Sequence, residues 1–238
     1  MSSEKRFGYE WNRYSFMNPA YEGQFRGWIY PLTNEDFKGK IVLDAGCGMG
    51  RNSYWPLNWG AEKVISFDYD KRSVEVAQKT LGKFSNSEVI FKSIYEIDWQ
   101  NKFDIAFSVG VVHHLKNPSL AIDNMIKSLK SGGILLVWVY SLEGNEWIVR
   151  FVSPIRKRLT SKLPLTAVHF LSYFCSIPLW FYIKLFNKKN EYLKQLSAFK
   201  FWHIHSIVFD QLIPDVANYW SQKEVLELFN KQSLKICG

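Results

Sequence analysis

The sequence predicts an α/β fold, a doubly wound and mainly parallel Rossmann-like sheet with an N-terminal aromatic cover and a helical lid insertion. Three observations predict it. Short apolar runs near residues 41–45, 64–68, 89–91, 103–109 and 134–140 alternate with stretches of helical periodicity, the rhythm of parallel strands joined by crossover helices. Directly after the first run comes a tight glycine turn, Gly46-Cys47-Gly48-Met49-Gly50, of the kind that brings backbone amides close to a polar ligand. Residues 1–38 and 143–205 differ in character from what lies between them: the first segment is aromatic and basic, the second apolar with basic flanks. One domain is the natural count for 238 residues, divided into a cover (1–38), a ligand-binding core (39–142), a lid insertion (143–205) and a C-terminal part of the core (206–238).

Taken in order, the cover carries Phe7, Tyr9, Trp11, Tyr14, Phe25 and Trp28, with Arg13 and Arg26 among them. Its plainest reading is an amphipathic helix with solvated arginines. The first strand ends in Asp44 before the glycine turn. The next acid placed like a strand end, Asp68, lies 20 residues beyond the middle glycine (68 − 48), the spacing of a ribose-binding carboxylate. A dinucleotide fingerprint would need glycine or alanine where Arg51 stands, which argues against NAD. Asp70 is placed to cap a helix beginning near Lys71, with Val74, Ala77 and Leu81 on its inner face. The third strand, Val89-Ile90-Phe91, leads to Ser93 and Ile94. The fourth, 103–109, ends in small residues followed by His113 and His114. Ala121, Ile122, Met125, Ile126 and Leu129 then repeat at helical spacing, Lys130-Ser131-Gly132-Gly133 stops that helix, and 134–140 is a continuous apolar strand. Near the end, Ser221 and Glu224 hold capping-box positions, and residues 231–238 could begin a sixth strand where the chain stops, either an early end or a shortened chain.

Composition narrows the class. The charged fraction of 22% is ordinary, but aromatic residues reach 17%, enough to line a cavity or an apolar contact surface as well as a core. Cys47, Cys175 and Cys237 show neither paired nor metal-type spacing, so reduced thiols in a cytoplasmic setting and no metal are expected. No hydrophobic signal region follows Met1, which argues against export. The net charge of +8 gathers around residues 163–183, a run without carboxylates of about 20 residues that has to be weighed as a membrane span. Pro164, His169, Pro178 and several hydroxyls speak against a simple span. The open readings are a lid over a pocket, a lid that also makes peripheral membrane contact through 163–183, a true span, and a homodimer interface. Because the basic flanks frame a greasy run instead of interleaving with polar residues, the pattern argues against a nucleic-acid partner.

With its G-x-G-x-G turn and Asp44 two residues ahead of it, the segment from Val42 to Gly50 resembles the first motif of the class I S-adenosylmethionine-dependent methyltransferases, and the resemblance continues through residues 38–140. It implies S-adenosylmethionine as cofactor and S-adenosylhomocysteine as product. The cofactor-binding positions it implies are Asp44, Gly46, Cys47 and Gly48 for the methionine part, Asp68 for the ribose hydroxyls, Tyr69 and Ile94 for the adenine faces, Ser93 where the family usually has Asp, and Val109. Asp68 could also be a plain turn or capping acid. The segment ending in His113 and His114 resembles the one lining the transfer site of small-molecule members; the Asn/Asp-Pro-Pro-aromatic and Pro-Cys signatures of nucleic-acid enzymes do not occur in it. In similar enzymes the N-terminal segment folds over the cofactor, so Tyr14 would bound the transfer site and Arg13 or Arg26 would pair with the cofactor carboxylate. His113 is the best-placed base, with His114, His203 and His205 as further candidates, the last two sharing a face if 202–209 is extended, although a buried histidine more often just satisfies a backbone group. The expected activity is methyl transfer, with oxygen favoured, to a small-molecule or lipid-linked acceptor with a large apolar portion. The competing expectation is a non-catalytic S-adenosylmethionine-binding partner or regulatory subunit.

Overall fold

The computed structural model describes residues 17–186 and 191–229. Five strands, β1 (Ile41–Ala45), β2 (Lys63–Asp68), β3 (Ser87–Phe91), β4 (Phe103–Val109) and β5 (Leu129–Trp138), form one sheet in the order β3-β2-β1-β4-β5. Every pairing is parallel, with Val42 opposite both Val64 and Ile105. Parallel neighbours require crossovers, and the helices α1 (Ala20–Ile29), α2 (Arg51–Asn58), α3 (Lys71–Leu81) and α4 (Pro118–Ser128) flank the sheet. Successive strand residues point to opposite faces, which is why the strands read as unbroken apolar runs. Leu43, Ile65 and Ala106 pack with Ile122 and Met125 on one face. Val42, Val64, Ile105 and Phe107 pack with Phe25, Phe37 and Trp55 on the other.

The caps agree with the sequence. Asp70 accepts from the amides of Arg72 (2.9 Å) and Ser73 (3.2 Å) at the start of α3. Ser221 and Glu224 form the predicted box, with both the Ser221 N–H and hydroxyl donating to Glu224 Oε2 at 2.8 Å.

The fifth strand differs. It begins at Leu129 and runs through the Gly132-Gly133 pair expected to end a helix. Two contacts hold it there: Lys130 Nζ lies 2.9 Å from Asp104, and Gly133 packs so closely that an added Cβ would meet the Asp104 carbonyl at 3.2 Å. The register shift between Phe103 and Ile105 absorbs the irregularity.

After β5 come a π-helical turn (Ile148–Val152) and helices α5 (Ser153–Arg158), α6 (Leu165–Leu185), α7 (Glu191–Ser197) and α8 (Phe201–Leu212), and α9 (Gln222–Phe229) closes the described chain. The stretch 202–209, expected to be extended, is therefore helical. Ile204 and Phe209 sit on α8 and pack into two clusters, with Ile183 and Val168 of α6 respectively. Pro178 does not interrupt α6. By length and composition α6 is the one helix among the described residues able to cross a membrane. Tyr14, Arg13 and residues 231–238, with the sixth strand expected there, lie outside the described residues.

Candidate functional site

The glycine turn sits at the carboxyl end of β1. Gly46 has φ +83°, and a Cβ there would stand 2.5 Å from Val111 Cγ2, so conformation and space both require glycine. The turn does not present bare amides as expected. The N–H groups of Gly46 and Cys47 both donate to the Phe67 carbonyl at 2.9 Å, Gly48 N–H donates to Asp68 Oδ2 at 2.9 Å, and Gly50 N–H to the Cys47 carbonyl. What the turn contributes is close approach of backbone.

Asp68, the acid singled out by its spacing from the turn, ends β2. It lines the cavity over the turn, and its second oxygen accepts from Asp70 N–H at 2.9 Å. Burial pushes its pKa up to about 6 against the pull of these amide bonds. Asp44 departs from expectation. It does not line the cavity; instead Ser53 donates to it at 2.5 Å and Ser66 joins through Ser53 at 2.8 Å. Its pKa is raised to about 7 by desolvation first, opposed by the Ser53 bond and reinforced by Asp68. Asp44 therefore locks the start of α2 against β1 and β2 from beneath.

The cavity has a volume of about 520 Å³ and runs from the turn across the carboxyl ends of β1, β2 and β4 to the tip of β5. Gly46, Cys47, Gly48, Tyr69, Ser93, Ile94 and Val109 all line it. Tyr69 is half exposed and stacked on Phe91 at 5.6 Å. Ser93 caps a short helical turn by accepting from Tyr95 N–H at 3.2 Å. At the far end stand Trp28, Trp138, Tyr140, His114 and, from α1 and α8, Gln24 and His203.

The histidines separate. His113, the expected base, is fully buried, lies outside the cavity lining and is sandwiched between Tyr140 (3.8 Å) and His114 (4.1 Å). Neither of its ring nitrogens has a hydrogen-bond partner, and burial holds its pKa well below the ordinary value. His114 lines the cavity instead. Its Nδ1 donates to the Val216 carbonyl at 2.8 Å, leaving the lone pair on Nε2, and burial lowers its pKa to about 4. His203 also faces the cavity, while His205, two residues on along the same helix, turns away to Ser176 (2.7 Å) and His169 (3.1 Å).

Arg26 cannot serve the cofactor carboxylate from where it stands, since it pairs with Glu22 at 2.7 Å over the Trp59 ring. Two cations line the cavity among the described residues: Lys92, paired with Asp98 at 2.8 Å, and Arg51, with its guanidinium over Tyr21 (5.1 Å) and Trp28 (5.4 Å). The signal for Arg51 in the sequence was its place directly after the turn. Gln24 and Trp138 carried no such signal, whereas His203 was among the candidate bases.

Residues 36–231 match the family model for a methyltransferase domain. The chain belongs to the class I S-adenosylmethionine-dependent methyltransferases. Similar curated proteins include the tRNA U34 carboxymethyltransferase of Proteus mirabilis, 32% identical over 113 residues, covering 46% of this chain and 35% of that protein. The protein of the same name from Campylobacter hominis is 33% identical over 119 residues, covering 49% and 41%. The chain thus spans well under half the length of these relatives. Similar solved structures include an S-adenosylmethionine-dependent methyltransferase of Mesorhizobium loti (TM-score 0.45, 20% identity, covering 52% of this chain and 54% of that one) and the YcgJ protein of Bacillus subtilis (TM-score 0.47, 19%, 58% and 58%).

The cofactor is S-adenosylmethionine, with S-adenosylhomocysteine as product, and the residues present fit it. An anionic acceptor for hydroxyls, a hydrophobic slot beside Ile94 and a cation by the turn share one cavity. The exclusion of nucleic acid as a partner, and with it the small-molecule or lipid-linked acceptor, is overturned by relatives named for tRNA. That exclusion rested on how charges flank residues 163–183, a pattern that describes the apolar run and not the lining of the cavity.

Proposed function

We propose that the chain transfers a methyl group from S-adenosylmethionine to a nucleobase of tRNA, in the cytoplasm. The observation that carries the reading is the continuity of one cavity from the Gly46–Asp68 end to an end walled by Trp28, Trp138 and Tyr140. Flat aromatic walls suit an unstacked base. At that end Gln24 Oε1 and His203 Nε2 are buried polar atoms without a hydrogen-bond partner, and together they can meet the adjacent donor and acceptor of an imide edge.

In this reading Asp68 holds the ribose hydroxyls, Tyr69, Ser93, Ile94 and Val109 enclose the adenine side, and Arg51 pairs with the cofactor carboxylate. The bound cofactor supplies an electrophilic methyl carbon. The chain's own task is alignment: the aromatic walls fix the plane of the acceptor, the surrounding helices exclude water, and His114, whose Nδ1 is held by the Val216 carbonyl, is the base toward a departing proton. The cover (1–38) and core (39–142) stand as expected, while the lid, expected over 143–205, is extended to the end of α8 at Leu212 because that helix carries both His203 and Gln211 into the cavity, leaving 213–238 as the closing segment.

Incubation with methyl-labelled S-adenosylmethionine and bulk tRNA, followed by nucleoside mass analysis, tests this. Label in one modified nucleoside, lost in the Asp68→Asn variant, is expected. Tight S-adenosylhomocysteine binding with no label in tRNA would overturn the acceptor and favour the non-catalytic alternative.

A further inference from the structure

The eight basic residues between positions 147 and 190 (Arg150, Arg156, Lys157, Arg158, Lys162, Lys184, Lys188 and Lys189) meet no Asp or Glu in that stretch. With those eight set aside, 22 basic and 22 acidic side chains remain and cancel, so the whole net charge of +8 resides in this one segment. Of these, Arg150, Lys157, Arg158, Lys162 and Lys184 are exposed, and such a concentration of positive charge attracts a polyanion.

Within it, a groove of about 510 Å³ lies between α5 and residues 217–220, with Lys157 and Arg158 on one side and Asn218, Tyr219 and Trp220 on the other. Both cations are exposed. The groove also holds Glu224, whose carboxylate is turned to the Ser221 N–H and hydroxyl. Beneath the groove lies Arg156, fully buried. Its Nη2 donates to Ser153 Oγ (3.1 Å) and the Ala217 carbonyl (3.3 Å), its Nη1 to the Gln211 carbonyl (3.4 Å), and its Nε finds no acceptor. These partners are all neutral, so the cation adds its positive potential to the groove floor, opposite Glu224. A stacked pair of rings, Tyr219 and Tyr140, stands between groove and cavity. Tyr219 lines the groove, stacks on Tyr140 of the cavity at 5.2 Å and donates from its hydroxyl to Gln211 Oε1 of the cavity at 2.6 Å.

We propose that this groove seats the RNA strand flanking the target nucleotide, with phosphates on Lys157 and Arg158 and a neighbouring base against Trp220, so that the target base turns past Tyr219 into the cavity. The inference rests on the tRNA reading above and adds the surface that delivers the substrate. Phosphate contacts give register without sequence, and an aromatic beside a basic track is the arrangement that holds single strands.

The test measures binding of labelled bulk tRNA to the full chain across a salt series, for wild type, for Lys157→Glu/Arg158→Glu, and for a control pair, Lys79→Glu/Lys127→Glu, on α3 and α4. Loss of two phosphate contacts lowers the slope of log affinity against log salt by about 1.4, at about 0.7 per single-strand phosphate. The expected result is that shallower slope, with affinity at least tenfold weaker, S-adenosylhomocysteine binding unchanged, and a control indistinguishable from wild type. An equal loss in the control pair, or none in the groove pair while wild type binds and modifies tRNA, overturns the groove and leaves the function standing. Wild type that ignores tRNA but binds vesicles of three parts phosphatidylglycerol to seven parts phosphatidylcholine overturns both.

Discussion

Asp68→Asn separates what the carboxylate does for the cofactor from what it costs the fold. Its two oxygens already accept from Gly48 and Asp70 at 2.9 Å, and a ribose would add hydroxyl donors to the same charge. Hydrogen bonds to a charged group contribute about 1.5–3 kcal/mol, so the neutral amide weakens S-adenosylhomocysteine binding by about 10- to 150-fold. Stability moves differently. The folded pKa of about 6 lies above the ordinary carboxyl value of 3.8, so the folded state holds a proton that the unfolded state has lost between those values. Wild-type stability therefore falls as pH rises from about 4 to about 6 by an order of about 3 kcal/mol from this group, and stays lower above pH 6. The variant lacks that contribution: its stability relative to wild type improves over this window, offset in part by an amide N–H now facing a backbone donor. Calorimetric titration and denaturant melts at pH 4.5 and 7.5 read both effects. Unchanged cofactor affinity in a folded variant would refute the ribose assignment, and a wild-type-minus-variant difference that grows with pH would refute the buried-charge argument.

Arg51→Gln weakens S-adenosylhomocysteine by about tenfold yet leaves methylthioadenosine, which has no carboxylate, bound as before; equal losses on both ligands would remove the arginine from the carboxylate. His114→Gln lowers the rate of transfer to tRNA by about 10²-fold at constant cofactor affinity, whereas His113→Phe changes it little, as single-turnover rates would record. His114 is depressed to about 4, so its contribution to stability is present above about pH 6.5 and lost as pH falls towards 4, a dependence that His114→Gln flattens in denaturant melts. Gly46→Ala destabilises the fold by about 1–3 kcal/mol through its positive φ and the clash with Val111, seen as a lower melting temperature in the absence of any ligand.

Much of the fold was legible because its determinants are local. The glycine turn, the Asp70 cap, the Ser221–Glu224 box and the double-faced apolar strands each follow from spacing within a few residues, and Asp68 from a spacing fixed by one crossover. What escaped depends on packing between distant segments. Asp44 has the motif position of a ligand contact, but Ser53 and Ser66 meet it from beneath. His113 and His114 are equivalent in sequence, and only the Val216 carbonyl, 102 residues away from His114, distinguishes the one that faces the cavity. Residues 202–209 fit a strand by alternation and a helix by burial against α6, and the clusters formed with Val168 and Ile183 decide for the helix. The acceptor class was misjudged for a different reason: charge was read as a frame around α6, when its complete confinement to residues 147–190 is the more telling property.

The most direct test of the account is a crystal structure of the chain soaked with S-adenosylhomocysteine. The account predicts density with the ribose hydroxyls on Asp68, the adenine between Tyr69 and Ile94 beside Ser93, the carboxylate at Arg51, and the sulfur pointing toward Trp138 and His114. Density elsewhere, or a ribose that does not touch Asp68, would contradict it.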